Sequence, residues 1–358
     1  MIRVHVVRPG ELASAELARW SQLQAADPRL ASPYFSPGFT LAVGRARPDA
    51  RVAVIEGASR IAGFFPFQKR PFGLGIPLGG PLSDYQGIIG NRDITIDAPA
   101  LLRGCGLAGF AFTNLIAADD AFKPYHRRVD PSHQIDVSAG VDAFMAERRA
   151  AGSDVIPATL RKRRKIEREV GPLRWVLKDP DPASLERVIA WKRDQYRRTR
   201  AVDGFAYRWP ATLLADLHRI DAPEFGGVLS TLWAGDRMIA GHMGMRSQSV
   251  WHYWYPVYDP AFGKYSPGQI MLLAMVESCA DLGANVIDLG KGAYIHKLRL
   301  GNRAVDVAEG YAGLASLATA MQRLCVRFER TVRRLPLGPA AEWPGKALRR
   351  LEGHLGYL

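Results

Sequence analysis

The segment 251–301 constrains the fold of this chain more than any other part of its sequence. It reads as an aromatic strand, a loop, a helix and a short apolar strand that ends in the turn Gly290-Lys291-Gly292. Ser266 suits a helix N-cap, Pro267 suits the first helical position, and Gly283 suits the helix end. Such a helix start points N–H groups and the positive end of its dipole at a ligand, which favours phosphate. The segment therefore predicts a strand–helix–strand unit with an anion site.

The composition bounds the class of protein. The 358 residues are 47% hydrophobic and 23% charged, which suits two domains with sizeable cores. No apolar run reaches the length of a membrane span and residues 1–10 lack the apolar core of a signal peptide, so we expect a cytoplasmic protein. Cys105, Cys279 and Cys325 are too few and too scattered for a disulfide framework or a zinc site, and no metal is expected. The net charge of +13 calls for an acidic partner: CoA phosphates, anionic lipid, an acidic glycan or nucleic acid.

Two segments of the chain share one layout. Residues 51–67 and 227–245 each read as a strand, a polar turn and a second strand. Ile61-Ala62-Gly63 in the first segment matches Ile239-Ala240-Gly241 in the second. We predict a tandem repeat, and a chance likeness between two hairpins is the alternative.

The order of the predicted elements sets the expected domains. Amphipathic helices are predicted over 183–200 and 210–220, and strands follow over 227–258. This order indicates a mixed α/β fold rather than a doubly wound parallel sheet. A boundary is expected between 139 and 161. The predicted parts are a first domain at 1–150, a second at 151–317 and a basic helical tail at 318–358.

Several stretches carry a family resemblance: 160–169 (LRKRRKIERE), 254–260 (WYPVYDP), 265–269 (YSPGQ), 287–301, and 77–89 in the first half. They resemble the GNAT-like N-acyltransferases of bacterial cellulose and exopolysaccharide biosynthesis, which are related in fold to the Fem-type peptidyltransferases. The resemblance implies an α/β, GNAT-like fold of two tandem acyltransferase-type domains, the first degenerate and the second binding the donor. It also implies an acyl-CoA-dependent N-acyltransferase, with acetyl-CoA expected first. The expected acceptor is an amino sugar, another small-molecule amine or a glycan amine in cell-envelope synthesis.

The donor loop departs from the general GNAT pattern. It has a single glycine, Gly268, and Pro267 before it offers no N–H, so fewer amides can face a pyrophosphate. Acyl-CoA is the expected donor, and acyl carrier protein and aminoacyl-tRNA stay open. A Fem-type enzyme that uses tRNA would carry a long helical hairpin, which this sequence lacks. The donor-binding residues that the resemblance implies are Tyr255, Tyr265, Ser266, Gly268 and Gln269.

Three residues near the end of the segment are the catalytic candidates, because acyl transfer needs a neutral amine beside the thioester and donors for an oxyanion. Asp288 is expected as a general base or a positioning group, and capping of the following turn is the alternative. Tyr294 is expected to protonate the leaving thiolate, or else to be a core aromatic. Lys297 is expected to pair with a phosphate or an acidic acceptor group, or else to be solvated. Pro256 cannot donate a ladder hydrogen bond and is expected at an edge or bulge beside the thioester arm.

The acceptor side is predicted from three further residues. Asp84 and Tyr85, in an exposed turn of the first half, and His252 are the acceptor-binding candidates. The alternatives are that the first two only shape their turn and that a strand histidine is structural. His252 and His242 are also secondary candidates for a base.

Two basic regions remain. The basic residues of 161–168 form either a solvated helix face or a binding site for phosphate or an acidic glycan. Nucleic acid is not favoured as their ligand, because no aromatic stacking motif accompanies them. The tail 318–358 either packs on its own domain or contacts an anionic membrane, which would place the protein peripherally at the inner membrane. Long-chain acyl transfer to a lipid amine and a non-catalytic envelope-biosynthesis protein are the alternative functions.

Overall fold

The computed structural model describes residues 2–57, 60–91, 96–292, 295–314 and 356–358. The chain divides into two units: unit 1 comprises Met1–Asp27, Val43–Val129 and Val307–Leu358, and unit 2 comprises Pro28–Ala42 and Asp130–Asp306. The division differs from the predicted linear boundaries. Residues 28–42 and 130–150 group with unit 2, and 307–317 group with unit 1.

The secondary structure alternates between helices and strands along the chain. Up to residue 136 the elements are β1 (Arg3–Val7), α1 (Ser14–Ala26), α2 (Pro37–Ala46), β2 (Ala50–Glu56), β3 (Ile61–Lys69), β4 (Leu74–Pro77), β5 (Ile89–Gly90), α3 (Ala98–Gly104), β6 (Gly109–Ile116) and β7 (His126–Asp136). Beyond it they are α4 (Val141–Ala150), α5 (Val155–Glu169), β8 (Leu173–Val176), α6 (Pro182–Thr199), α7 (Arg208–His218), β9 (Asp221–Ala222), β10 (Phe225–Ala234), β11 (Arg237–Arg246), β12 (Val250–Tyr258), α8 (Pro267–Glu277), β13 (Val286–Lys291), α9 (Ile295–Leu300) and β14 (Arg303–Gly313).

The sheets of the two units have the same strand order. In unit 1 the order is β1-β2-β3-β4-β6-β14, antiparallel except for the parallel pair β4 and β6. In unit 2 the order is β8-β10-β11-β12-β13-β7, antiparallel except for the parallel pair β12 and β13. The last strand of each sheet is out of chain order with the other five, since β14 comes after β13 in the chain and β7 comes before β8. The predicted mixed α/β fold with a tandem repeat is therefore confirmed.

Each unit has its own apolar core. In unit 1 the rings of Phe65, Phe110 and Phe122 pack together, with 5.0 Å between the centroids of the first two. In unit 2 the core lies against α8, which is apolar and buried from Ile270 to Val276, as is typical of a helix inside a domain. Burial of α8 fixes its N-terminal end beside β12, where the donor site is expected.

The predicted start of α8 is confirmed and its end lies earlier than predicted. Pro267 is the first helical residue, but the α-helix ends at Glu277. A short 3-10 segment, Cys279–Leu282, continues to Gly283, whose φ of +71° is the left-handed conformation that favours glycine at a helix end. Among the described residues, none of the helices is both long enough and apolar enough to span a membrane.

Candidate active site

The two parallel strands of unit 2 separate part-way along their length. β12 and β13 pair over three residues, of which the last pair is His252 with Asp288. Both strands continue, to Tyr258 and to Lys291, and the described residues beyond that pair form no further ladder between them. The facing strand edges therefore have backbone groups that an extended ligand can meet. Pro256 lies on the separated part of β12.

A β-bulge marks the point of separation. The register of β11 and β12 shifts between Met243 and Met245, so that Gly244 opposes both Tyr253 and Trp254. A bulge turns the following residues of the strand towards the other face of the sheet. Gly244 is required here, because a Cβ atom at this position would overlap the backbone of β12. The bulge is thus fixed by tight packing at one glycine.

His242 supports the bulge and is neutral. Its ring is fully buried, stacks on Tyr253 at 5.1 Å between centroids, and accepts a hydrogen bond at Nε2 from the Trp254 N–H at 3.2 Å. Burial, together with the nearby His252, lowers the pKa of His242 to about 3. With its Nε2 lone pair occupied, His242 holds the backbone and has no means of acting as a base at neutral pH.

Asp288 is fully buried, and both of its carboxylate oxygens accept hydrogen bonds. Gln134 on β7 donates from Nε2 to Oδ2 at 2.7 Å, and the Gly290 N–H donates to Oδ1 at 2.8 Å. Gly290 has a φ of +73°, so the second bond holds a left-handed turn at the end of β13. This geometry favours a positioning role for Asp288 over direct contact with a substrate.

His252 lies beside Asp288 on the neighbouring strand. Its Nδ1 is 3.6 Å from Asp288 Oδ1, and its side chain is fully buried. The ring of Tyr34 packs edge-on against it at 5.0 Å and also contacts Trp254 at 5.9 Å. Tyr34 belongs to the segment 28–42, and no pattern in the sequence pointed to it. Its only signal is the apolar run Pro33-Tyr34-Phe35 before α2.

Lys297 caps the end of β13 from α9. Its Nζ donates to the carbonyl oxygen of Gly290 at 3.1 Å and to that of Lys291 at 2.9 Å, and the side chain is almost fully buried. Lys291 itself pairs with Asp130 at 3.0 Å. Asp288 and Lys297 therefore hold the same turn, one through an N–H group and the other through two carbonyl groups.

The start of α8 is built differently from a standard N-cap. Ser266 has a φ of +52°, unusual for a residue with a side chain, and its hydroxyl makes no capping bond to the helix. Its Oγ instead accepts a hydrogen bond from Lys162 Nζ on α5 at 2.6 Å. Ser266 therefore occupies the predicted N-cap position, but its side chain does not make the capping hydrogen bond. The conformation at Ser266 places a cation beside the helix N-terminus.

Few backbone amides at this helix start are unoccupied. Pro267 has no N–H, and the N–H groups of Gln269 and Ile270 donate to the Ser266 carbonyl oxygen at 3.0 and 3.3 Å. Within the described part of the chain, the Gly268 N–H has no hydrogen-bond partner. One amide, the helix dipole and Lys162 are therefore the groups that can attract a phosphate here.

Tyr265 and Tyr255 are both buried but lie in different places. Tyr265 donates its hydroxyl to Glu169 Oε2 at 2.8 Å and so ties the loop to α5. Tyr255 follows the bulge on β12 and packs against Phe205 at 5.3 Å. Of the predicted donor-binding residues, the structure brings Ser266, Gly268 and half-buried Gln269 together at the start of α8.

Lys192 on α6 is a site residue that the sequence analysis missed. Its Nζ donates to the Pro256 carbonyl oxygen at 3.1 Å and lies within 6 Å of the rings of Tyr196 (5.6 Å) and Tyr255 (5.9 Å). Burial lowers the pKa of Lys192 to about 8. It is thus a half-buried amine on the separated part of β12, close to changing charge at neutral pH.

The corresponding helix of unit 1 starts differently. Asp97 precedes α3, and its Oδ1 accepts a hydrogen bond from the Ala100 N–H at 2.6 Å. A carboxylate therefore occupies the place where a phosphate would bind. Tyr85 is buried and Asp84 half-buried in the same unit, and Ser83 donates its hydroxyl to the Tyr85 carbonyl oxygen at 2.9 Å. Their role in acceptor binding stays a prediction.

Some predicted features lie outside the described residues, namely Tyr294 and most of the tail, 318–355. Within the described residues, no group of three or more His, Cys, Asp and Glu side chains has an arrangement that could hold a metal ion.

Comparison with known proteins identifies the fold. Residues 158–298, all within unit 2, match the family model of an acetyltransferase (GNAT) domain. A search of the curated proteins finds no matching sequence. Solved structures of similar fold include FemX, with a TM-score of 0.56 over 86% of this chain and 98% of that one. The C-terminal domain of a putative lysylphosphatidylglycerol synthetase from Agrobacterium fabrum has a TM-score of 0.52 over 87% and 97%.

A tandem GNAT protein from the clavulanic acid biosynthesis pathway is also similar, with a TM-score of 0.51 over 87% of this chain and 98% of that one. All three are 10% identical to this chain, so the likeness shows the fold alone. The predicted GNAT fold of two tandem acyltransferase-type domains is confirmed, and the GNAT acetyltransferase domain at 158–298 supports the predicted N-acyltransferase activity. The narrower cellulose and exopolysaccharide type stays a prediction.

Proposed function

We propose that this GNAT-type acyltransferase transfers an acyl group from acyl-CoA to the amine of an amino sugar or a similar small molecule. The observation that carries the proposal is the separation of β12 and β13 beyond His252 and Asp288, next to the start of α8. A role in cell-envelope or exopolysaccharide synthesis is proposed from the resemblance of the motifs alone.

Each part of the proposed donor has a counterpart in unit 2. The amide groups of a pantetheine arm can pair with backbone groups along the separated edge of β12. The phosphates would lie at the start of α8, where the Gly268 N–H points and Lys162 supplies a positive charge. Because Pro267 has no N–H, we propose that Lys162 provides much of the attraction that further amides provide in other phosphate loops.

The proposed reaction is direct transfer. The neutral acceptor amine attacks the thioester carbonyl, a C–N bond forms, the C–S bond breaks, and the amine loses a proton while the CoA thiolate gains one. We propose that Lys192 receives the amine proton, since it lies on the separated part of β12 and burial brings its pKa to about 8. Asp288 and Lys297 are proposed as positioning residues that hold the turn at the end of β13.

Isothermal titration calorimetry with acetyl-CoA and with palmitoyl-CoA tests the donor. We expect micromolar binding of acetyl-CoA, and binding of neither compound would refute the donor assignment. A strong preference for palmitoyl-CoA would favour a long-chain transferase. Release of free CoA thiol with glucosamine, compared with an amine-free control, then tests the acceptor class.

A further inference from the structure

A cavity of about 320 Å³ lies between α4 and α5 in unit 2. Its apolar lining includes Ile156 and Leu160. Three arginines also line it, Arg149 on α4 and Arg161 and Arg164 on α5. The lining thus combines apolar side chains with three positively charged residues.

The three arginines are all exposed to solvent. Within the described residues, none of them forms an ion pair, whereas Arg163 on the same helix pairs with Glu277 at 3.2 Å. Three cations around one cavity repel one another unless an anion lies between them. The Ser153 hydroxyl at the same cavity is shielded from solvent and also lacks a hydrogen-bond partner in the described structure. Both observations favour an anionic ligand at this cavity.

The cavity is separate from the proposed donor site. Leu160, Arg161 and Arg164 are spaced so that they lie on one side of α5. Lys162 and Glu169 contact the donor loop, through Ser266 and Tyr265. One helix therefore presents two sets of residues, and the donor site does not account for the arginines.

We propose that this cavity binds a phosphate monoester carried on a small apolar body. The phosphate would lie among the three guanidinium groups, whose planar fork of donors suits its oxygens. The apolar part would pack on Ile156 and Leu160. A volume of about 320 Å³ is at the lower end for ligand pockets, so the ligand is a small molecule or the head of a lipid.

Calorimetry on the full chain with hexyl phosphate, inorganic phosphate and hexanol tests the proposal. Hexyl phosphate should bind at least tenfold more tightly than either of the others, and equal binding of hexyl and inorganic phosphate would overturn the amphiphilic site. Arg161→Gln combined with Arg164→Gln should weaken hexyl phosphate at least tenfold. Arg168→Gln combined with Arg187→Gln, which removes the same two charges outside the cavity, should leave it within twofold, and an equal loss would overturn the site. Thermal unfolding of each variant checks that it is folded.

Two further measurements locate the ligand and its source. Saturating CoA should not displace hexyl phosphate, and displacement would mean that the phosphate binds at the donor site instead. Vesicles containing phosphatidic acid separate the sources. Sedimentation of the native chain but not of the double arginine variant assigns the site to a lipid phosphate. Hexyl phosphate binding without sedimentation assigns it to a soluble phosphate ester.

Discussion

Replacing Asp288 separates its positioning role from a role as general base. Asp288→Ala leaves two buried donors, Gln134 Nε2 and the Gly290 N–H, without their acceptor. Each unsatisfied buried donor costs about 1–3 kcal/mol, so the free energy of unfolding should fall by about 4 kcal/mol. For a unit of this size that corresponds to a drop in Tm of roughly 12 °C.

Asp288→Asn should cost far less. Its remaining oxygen can accept from the Gly290 N–H, and the Gln134 amide can rotate to offer its oxygen to the new NH₂ group. We expect a loss of about 1 kcal/mol, from the weaker hydrogen bonds of a neutral acceptor. If Asp288 only positions the turn, kcat in the thiol-release assay should fall less than about tenfold, with an unchanged pH profile.

Gln134→Met provides the matched control, because it removes one partner and leaves the carboxylate in place. A positioning role predicts that Gln134→Met and Asp288→Asn lower kcat to a similar extent. The reasoning is refuted if Asp288→Asn keeps its Tm but loses more than about a hundredfold in kcat together with the acid limb of its pH profile, because loss of a general base does this.

Three other substitutions test the remaining parts of the site. Lys162→Met should weaken CoA binding about tenfold through loss of a charged hydrogen bond, while Arg163→Met should leave CoA binding unchanged. Equal effects of the two substitutions in calorimetry would argue against phosphate binding by Lys162. In the native enzyme kcat/KM should rise as pH passes through about 8, because the neutral form of Lys192 then accumulates, and Lys192→Met should abolish this limb. A pH profile that Lys192→Met does not alter would refute the proton-transfer role. Gly244→Ala should lower the free energy of unfolding by about 3 kcal/mol by overpacking. Gly263→Ala, where a Cβ would make only an ordinary van der Waals contact, should change the Tm little, and equal Tm values would contradict the bulge packing.

The sequence was most informative where local chemistry decides the structure. Pro267 starts α8, and Gly283 ends the short helical segment that follows it, because the missing N–H and the left-handed φ suit only those positions. The hairpins at 51–67 and 227–245 could be predicted because turn residues separate runs of strand-forming residues. Local rules of this kind also located the end of β13 and its glycine turn.

Long-range contacts could not be predicted in the same way. The pairing of β7 with β13 brings Gln134 to Asp288, and no local pattern encodes a contact between residues so far apart in the chain. The approach of Tyr34 to His252 has the same origin. Lys192 was missed because an amphipathic pattern predicts basic residues on the solvent side of a helix, whereas its amine donates to the Pro256 carbonyl oxygen of β12. Burial, not position on the helix, gives Lys192 its altered pKa.

The shared strand order of the two units makes their difference at one helix informative. Both sheets contain a parallel pair, β4 with β6 and β12 with β13, and a helix connects the two strands in each case. At α3 the Asp97 carboxylate already binds the helix N-terminus, and its negative charge would repel a phosphate. At α8 the Ser266 hydroxyl bonds to Lys162 instead, so the amide of Gly268 and a cation remain available. We therefore propose that unit 2 alone binds the donor, and that the change of one N-cap residue from a bonding carboxylate to a non-capping serine distinguishes the two copies.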